Sequence, residues 1–367
     1  MSLRGAAAIV GIGELPTRRA YPGRSLEGLC AEAARLAIED AGLRKEEIEG
    51  LVVDGSSITP AAMADYLGIR PVFATGVTMQ GATGATATAV AASAINAGLC
   101  GNALVVMGAA RGDGPARRPG GGAGSVNAEF EAPFGPAQGA GTGYGLIYRR
   151  HMHEFGTTPE QLAKLAVDQR TNALANPNAV FHGQSITLDD VLNSRYVNEP
   201  LKLLECVMPC AGAAALVIAS AERARSSPHR PVYVLGAGIE QGNAILWQNP
   251  EITTTPAKVS AARAFEMAGY GPGDMQFAEF YDCYTILVAA TLEDAGFCKK
   301  GEIGPFYEAT DTTYRGTFPV NTDGGQISGG QPGLAGGFRH VIEAARQIMG
   351  RAGQRQVPKN DLCMVNG

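Results

Sequence analysis

Histidine and tryptophan are scarce in this sequence, at 5 and 1 of 367 residues, and aromatics as a class make up only 7%. So few imidazoles leave little material for a histidine-built metal centre. His151 and His153 stand two apart and would diverge on a helix, so the histidines read as surface or structural and no metal is expected. No apolar run reaches the roughly 18 residues that mark a candidate membrane helix. The opening MSLRGAAAIVGIGELP also lacks the long apolar region of a secretory signal, which makes the cytosol the expected compartment. Charge of one sign is missing too. The net charge is −5 with acids and bases dispersed, so there is no basic stripe for nucleic acid and no patch for anionic lipid. No G-x-S-x-G motif occurs, which removes the usual hydrolase elbow. VGIGELP has Gly11 and Gly13 but no third glycine, so a dinucleotide fingerprint is weak. The 7 cysteines are odd in number and sit mostly in apolar runs, the pattern of reduced thiols, and Cys206 and Cys210 lack the second pair of a zinc site.

Glycine is plentiful, 49 residues, and with much alanine it favours close packing through small side chains. SLEGLCAEAARLAIEDAG (25–42) places Leu26, Leu29, Cys30, Ala33, Leu36, Ala37 and Ala41 on one helical face, with Gly42 at the helix stop. IEGLVVDG (48–55) follows as a buried strand. A helix at 86–97 and a strand at 103–109 repeat the pattern, so the fold class is α/β with helices on the sheet faces. ARGDGPARRPGGGAGS (110–125) breaks the alternation and opens an insertion, which contains a helix at 158–177 capped by Thr158. A strand at 213–220 closes it, and 221–231 reads as a linker. A shift of 227 positions lays Ala34 on Ala261, Glu39 on Glu266, Ala41-Gly42 on Ala268-Gly269 and Ile48 on Met275. Helix, glycine stop, connection and strand coincide, which predicts an internal duplication. The halves are residues 1–225, with a loop domain inserted at 110–195, and residues 226–367.

Four places could carry chemistry. VTMQGATGATATAV (77–90) puts Gly81, Ala82, Thr83 and Gly84 at a turn into a helix, whose free N–H groups favour negative charge; a purely packed helix is the plainer reading. EFYDCYT (279–285) gathers Tyr281, Asp282 and Cys283 at a strand end, where α/β sites concentrate. NTDGGQISGGQPGLAGG (321–337) describes a backbone that approaches something closely, or else a flexible surface loop. DLCMVNG (361–367) is a strand carrying Cys363.

Together with YRRHMHEFGTTPEQLAKLAVDQRTNALANP and PLKLLECVMPCAGAAALVIAS, these segments resemble the thiolase superfamily, in its branch of sterol-carrier-protein thiolases and steroid side-chain aldolases. The resemblance spans essentially the whole chain. It implies two duplicated βαβαβαββ halves in a five-layered α/β/α/β/α core plus an inserted loop domain. Thiolases place a nucleophilic cysteine where this chain has Gly81, so the acyl-enzyme step has no obvious carrier. The family's Gly-His-Pro stands here as Gly330-Gln331-Pro332; glutamine donates a hydrogen bond to a thioester oxygen but shuttles no proton. The resemblance places Ser328, Gly330 and Pro332 with Gly81 around the thioester. It makes Tyr281 the preferred base, with Asp282 beside it, and gives Cys283 and Cys363 acid/base expectations.

The implied activity is retro-aldol cleavage of a β-hydroxyacyl-CoA. Charge is stored as a thioester enolate held by Gln331 and N–H groups near Gly81, while Gly81 leaves room for a bulky acyl chain. No covalently bound cofactor is needed, and coenzyme A enters as the substrate thioester. An acyl-CoA acyltransferase using Cys283 or Cys363, and a non-catalytic acyl-CoA or lipid-binding protein, are the alternatives. The family further implies a homodimer and a small zinc-ribbon/OB-fold partner that closes the acyl site.

Overall fold

The computed structural model describes residues 3–111, 129–130, 140–243 and 248–367. Strand β1 (Ala7–Glu14) leads to helix α1 (Leu26–Asp40). That helix begins where the Ser25 hydroxyl accepts from Gly28 N at 3.0 Å, and the chain leaves it through Gly42 at φ 69°. Then β2 (Gly50–Asp54), α2 (Pro60–Leu67), β3 (Phe73–Val77), α3 (Thr83–Asn96) and β4 (Asn102–Ala109) alternate. The insertion contributes α4 (Ala140–Phe155), α5 (Pro159–Leu174), α6 (Leu188–Asn193) and a ribbon of β5 (Tyr196–Asn198) with β6 (Leu201–Lys202). As expected, α5 starts after Thr158, whose N–H donates to Gln161 Oε1. The first part of the insertion, 112–128 and 131–139, lies outside the described residues.

Strand β7 (Gly212–Ser220) returns the chain to the sheet. The stretch read as a linker then forms a short helix, α7 (Ala221–Ala224), because the Ser220 hydroxyl accepts from Arg223 N and starts a turn there. After β8 (Val232–Tyr233) come α8 (Ala257–Ala268), β9 (Phe277–Phe280), α9 (Thr285–Asp294), α10 (Ile303–Ala309), α11 (Gly325–Ser328), α12 (Ala335–Ile348) and β10 (Cys363–Asn366).

The six-stranded sheet runs β3-β2-β4-β7-β1-β8, with β2 parallel to both neighbours and β7 antiparallel to β4 and β1. Its edge strand β8 comes from beyond residue 225. One face buries Leu51, Val53, Leu104 and Val106 against α1; the other buries Val52, Val105 and Leu216 against α3 and α12. Strand β9 lies across α12. Its Phe277 faces that helix and its Ala278 and Phe280 face the outer cluster with Ile286 and Ala289 of α9. The sequence of layers is therefore helix, sheet, helix, sheet, helix.

The two halves each make the same kind of contact. A Cβ on Gly11 or Gly13 would stand 2.4 or 2.3 Å from the carbonyls of Ala37 and Ala33 in α1, and one on Gly236 or Gly238 would meet the carbonyls of Ala264 and Ser260 in α8. The G-x-G of VGIGELP thus lets a strand lie directly on a helix, and GAG at 236–238, past the end of β8, lets the chain approach α8 in the same way. The second sheet is less regular than the duplication predicts. Strands β9 and β10 pair in parallel, and Val320 adds a single bridge to Ala278. Beyond that bridge the Asn321 side chain takes the place of a strand, accepting from Phe280 N at 2.7 Å and donating to Phe280 O at 2.9 Å.

Candidate active site

The site forms at the carboxyl end of β9 and β10, where Tyr281 N donates to Asn366 O at 3.1 Å and the chain turns into α9. Position 81 faces it from the first half. Gln80, at φ 50°, and a turn of 3-10 helix carry the chain into α3, and Thr83 locks that turn. Its hydroxyl accepts from Met79 N at 2.9 Å and donates to Gln80 O at 2.7 Å, so it is committed to the backbone. The Tyr281 ring lies over Gly81: a Cβ there would stand 2.5 Å from Tyr281 Cζ and 2.7 and 2.8 Å from its two Cε atoms. The space beside Gly81, expected to admit a bulky acyl chain, is filled by this ring. Gly337, at the start of α12, backs onto the same turn, where a Cβ would meet Gly81 O.

Gln331 reaches the ring's polar end, its Nε2 donating to the Tyr281 hydroxyl at 3.0 Å. Burial pushes the Tyr281 phenol above its ordinary range, and the nearby Cys283 and Asp282 add to that; the Gln331 hydrogen bond works in the opposite direction. One of the two amide N–H groups expected to hold the enolate oxygen is therefore spent on the tyrosine.

The glycine-rich stretch 321–337 is a buried, tied-down loop rather than a flexible surface one. Both oxygens of Asp282, wholly buried, accept from Gln326 N at 2.8 and 2.9 Å, and Oδ2 also accepts from Ile327 N at 3.1 Å. Gly325, at φ 57°, permits this approach, since a Cβ there would collide with Asp282 Oδ2. Asp282 is thus the anchor of α11 and of the loop that carries Gln331. His340 of α12 braces it from beneath, with Nε2 at 3.0 Å from Asp282 Oδ1 and Nδ1 at 3.5 Å from Glu279 Oε2. Burial disfavours the imidazolium, but the two carboxylates outweigh it and push His340 up to about 10, while burial raises Glu279 to about 7.

A group raised in the fold stabilises it fully below its unfolded value and loses that contribution as pH climbs through the folded one. For His340 the window is about 6.5 to about 10. Thermal denaturation should show Tm falling across it, by at most ~1.4 kcal/mol of stability per pH unit, and His340→Gln should flatten the slope.

Three other expected residues are structural in their contacts. Ser328 is buried with its hydroxyl accepting from Arg170 Nε at 2.9 Å. Gly330, at φ 104°, leaves no room for a side chain between Thr17, Cys210 and Val180, and its carbonyl accepts from Arg339. Pro332 packs on Gly212 of β7. Cys283 is buried, and burial raises its thiol while the Tyr144 hydroxyl works to lower it. Cys363 sits at the far end of β10, paired with Phe277 and packed with Ala344, Ile348, Val357 and Val365. Four residues of strand separate that register from Tyr281, about 13 Å. At the tyrosine's end of the strand stand Asn366 and Gly367, the latter against Ala82.

Sequence reading missed Tyr144 and His340. Tyr144 comes from the insertion, and no local motif marks it. His340 follows FR in an ordinary helix start; only the contacts of α12 with β9 reveal its role. A separate cleft of about 360 Å³ between α4, residues 250–254 and the end of α9 is lined by Arg150, Glu154, Lys258, Glu293 and Lys300. Its charges pair among themselves, with Lys300 on Glu293 and Arg150 on Glu154, and it holds none of the residues above.

Residues 238–367 match the family described as thiolase C-terminal domain-like. A steroid side-chain-cleaving aldolase from Thermomonospora curvata is 36% identical over 95% of this chain and 91% of its own length. An acetyl-CoA acetyltransferase from Methanothermobacter thermautotrophicus is 34% identical over 93% and 91%. Among solved structures, the Ltp2-ChsH2(DUF35) aldolase superposes with a TM-score of 0.89 at 32% identity, covering 98% of this chain and 93% of that one.

Proposed function

The chain belongs to the thiolase superfamily, in its branch of sterol-carrier-protein-thiolase-like and aldolase-like proteins, and on that footing we propose a retro-aldol lyase acting on a β-hydroxyacyl-CoA. The observation that carries this reading is the Tyr281 ring seated on Gly81 with its hydroxyl held by Gln331. Where an acyl-transferring relative needs sulfur, this chain has placed a proton-handling group.

In the proposed reaction the Tyr281 oxygen takes the proton of the β-hydroxyl. The O–H electrons form the new carbonyl, the Cα–Cβ bond breaks, and its electrons pass to the thioester as an enolate. The second amide N–H of Gln331 would hold the enolate oxygen, with the backbone N–H groups of Gln80 and Gly81 beside it, since those of Ala82 and Thr83 already donate to Met79 O and Gln80 O. Water protonates Cα to complete a shortened acyl-CoA, and the hydroxide so formed takes back the proton held by Tyr281. Asp282 and His340 keep Gln331 in place.

Because burial holds Tyr281 as the neutral phenol, its basic form is a minority at pH 7. The cleavage rate should therefore climb roughly tenfold per pH unit between pH 6 and 9, as for any base working below its pKa. Gln331→Leu should lower the rate by about 10- to 100-fold throughout, the loss of one hydrogen bond to the charged form. Rate profiles of both proteins check this.

A homodimer fits the outer edge of β3, with Ala74 and Gly76 exposed and no strand beside it among the described residues. The solved relative is an aldolase with a second component, ChsH2(DUF35), which supports a small partner closing the acyl site here. The 7 free cysteines suit a reducing compartment, the cytoplasm, and no helix among the described residues is long and apolar enough to cross a membrane.

The acetyltransferase relative favours acyl transfer as the second reading, but Cys283 is buried and Cys363 lies at the other end of its strand. The deciding experiment incubates purified protein, with and without the partner, with a β-hydroxyacyl-CoA. Release of a carbonyl compound and a shortened acyl-CoA is the expected result. An acyl group trapped on a cysteine would favour transfer, and tight binding without turnover would favour a non-catalytic acyl-CoA-binding protein.

A further inference from the structure

Three arginines are buried among the described residues, and two of them are neutralised. Arg339 lies on Glu14 and Asp323, and Arg355 on Glu343. Arg170 of α5 has no carboxylate. It is 4% exposed; its Nε donates to the Ser328 hydroxyl at 2.9 Å and its NH1 to Gln184 O at 3.1 Å, while its second terminal nitrogen has no hydrogen-bond partner. The guanidinium lies 4.2 Å from the centre of the Phe181 ring. Burial with no anion to offset it pulls this group down to about 10. A cation withdrawn from water without a counter-charge is expensive to keep.

A second polar group is stranded in the same place. The Thr17 hydroxyl is buried with no hydrogen-bond partner. Residues 17–19 run extended beside Ala211, with which Arg18 exchanges backbone hydrogen bonds at 3.0 and 2.7 Å, so Thr17 and Arg19 point to one side and Arg18 to the other. Arg19 is exposed, pairs with no carboxylate among the described residues, and lies 5.8 Å from the centre of the same Phe181 ring. Thr17 Cγ2 and Val180 Cγ1 stand 2.6 and 3.2 Å from where a Cβ on Gly330 would be. Gln331 follows in extended chain bridged to Pro209, and its side chain goes the opposite way, to the Tyr281 hydroxyl. The stranded cation and hydroxyl therefore occupy the back of the ribbon whose front carries the active site.

We propose that Arg170 and Arg19, with the Thr17 hydroxyl, bind a phosphate-type oxyanion on the back of this ribbon, at a place separate from the thioester. Guanidinium forks suit tetrahedral oxyanions, and a hydroxyl donor adds a further direction of contact. The anion supplies the charge that Arg170 lacks. Through Ser328 it also holds the end of α11, whose N–H groups grip Asp282. The inference stands whether or not the chain is a lyase.

The purified chain is titrated with sodium phosphate at constant ionic strength, with chloride as the reference salt, and followed by calorimetry and thermal melts. Saturating phosphate should raise Tm by about 2–4 °C over chloride. Thr17→Val, which keeps the shape and removes the unpaired hydroxyl, should bind phosphate at least about tenfold more weakly while melting no lower without it. Arg19→Met, a change at an exposed side chain, should weaken binding by a similar factor and leave the unliganded Tm within about 1 °C. Arg170→Met should abolish binding, and the other two variants decide the matter if it folds poorly. Tighter binding of inorganic phosphate than of glycerol 3-phosphate names the free ion as the ligand, and the reverse order names an esterified phosphate; either supports the site. Saturating coenzyme A should leave the phosphate affinity unchanged. Displacement by coenzyme A would overturn a separate site, as would a wild type with no phosphate response or full binding in both Thr17→Val and Arg19→Met.

Discussion

Gly81→Cys is expected to destroy activity instead of restoring an acyl-transferase. The new Cβ would lie 2.5 Å from Tyr281 Cζ, a separation that carbon atoms do not tolerate. The turn has little room to retreat, because Gly337 closes its other side. Either the ring swings off Gln331 or the turn into α3 shifts, and overpacking of this kind costs ~1–3 kcal/mol. Lyase turnover should fall at least about 100-fold, since a 1 Å misplacement of a reacting group suffices for that, and Tm should drop. Gly81→Ala, which adds the carbon without the sulfur, should do the same. Combining either change with Tyr281→Ala should restore most of the Tm and none of the turnover, giving a large coupling in the double-mutant cycle. Equal Tm for Gly81→Ala and wild type would mean that the ring does not occupy this seat in solution.

Tyr281→Phe separates chemistry from packing at the same place. The ring and its contact with Gly81 persist, and only the hydroxyl with its 3.0 Å hydrogen bond from Gln331 is lost. Tm should stay within a few degrees. Cleavage of a β-hydroxyacyl-CoA should fall by about 10²- to 10⁴-fold in kcat, the usual contribution of a positioned acid or base, with KM nearly unchanged because the hydroxyl acts on the reacting atoms alone. Steady-state kinetics beside a thermal melt decide it; full kcat in the variant would strip Tyr281 of the role.

Local features were the legible part of this fold. Ser25 and Gly42 bracket α1 in sequence as they do in the structure, and Thr158 marks the start of α5. The repeat at a shift of 227 was visible because alanines and glycines that face a strand stay small in both copies. The site was legible only in its members. Tyr281 and Gln331 stood out, but that the ring covers Gly81 depends on a contact across 200 positions, and no periodicity encodes it. Thus the small residue at 81 read as open room when it is the floor beneath a side chain. Asp282 was read as chemistry from its neighbours; its partners, the N–H groups of Gln326 and Ile327, become visible only once the chain has folded. Cys363 was expected at the site from the family resemblance, and the register opposite Phe277 puts it at the far end of its strand. Glycines at 11 and 13, dismissed as a nucleotide signal, turned out to serve strand-on-helix contact.

Glu14 ends the first strand of the chain, yet both of its cationic partners are more than 300 positions away. Arg339 Nε and Arg346 NH2 each lie 2.7 Å from one of its oxygens, and all three groups are largely or wholly withdrawn from solvent. A gene cut between the halves would leave the fragment that carries Glu14 with a stranded anion it could not hide from water at tolerable cost, while Arg339 and Arg346 would keep Asp323 and Glu343 as partners in the other. One carboxylate thus makes the first half dependent on the second for its own burial.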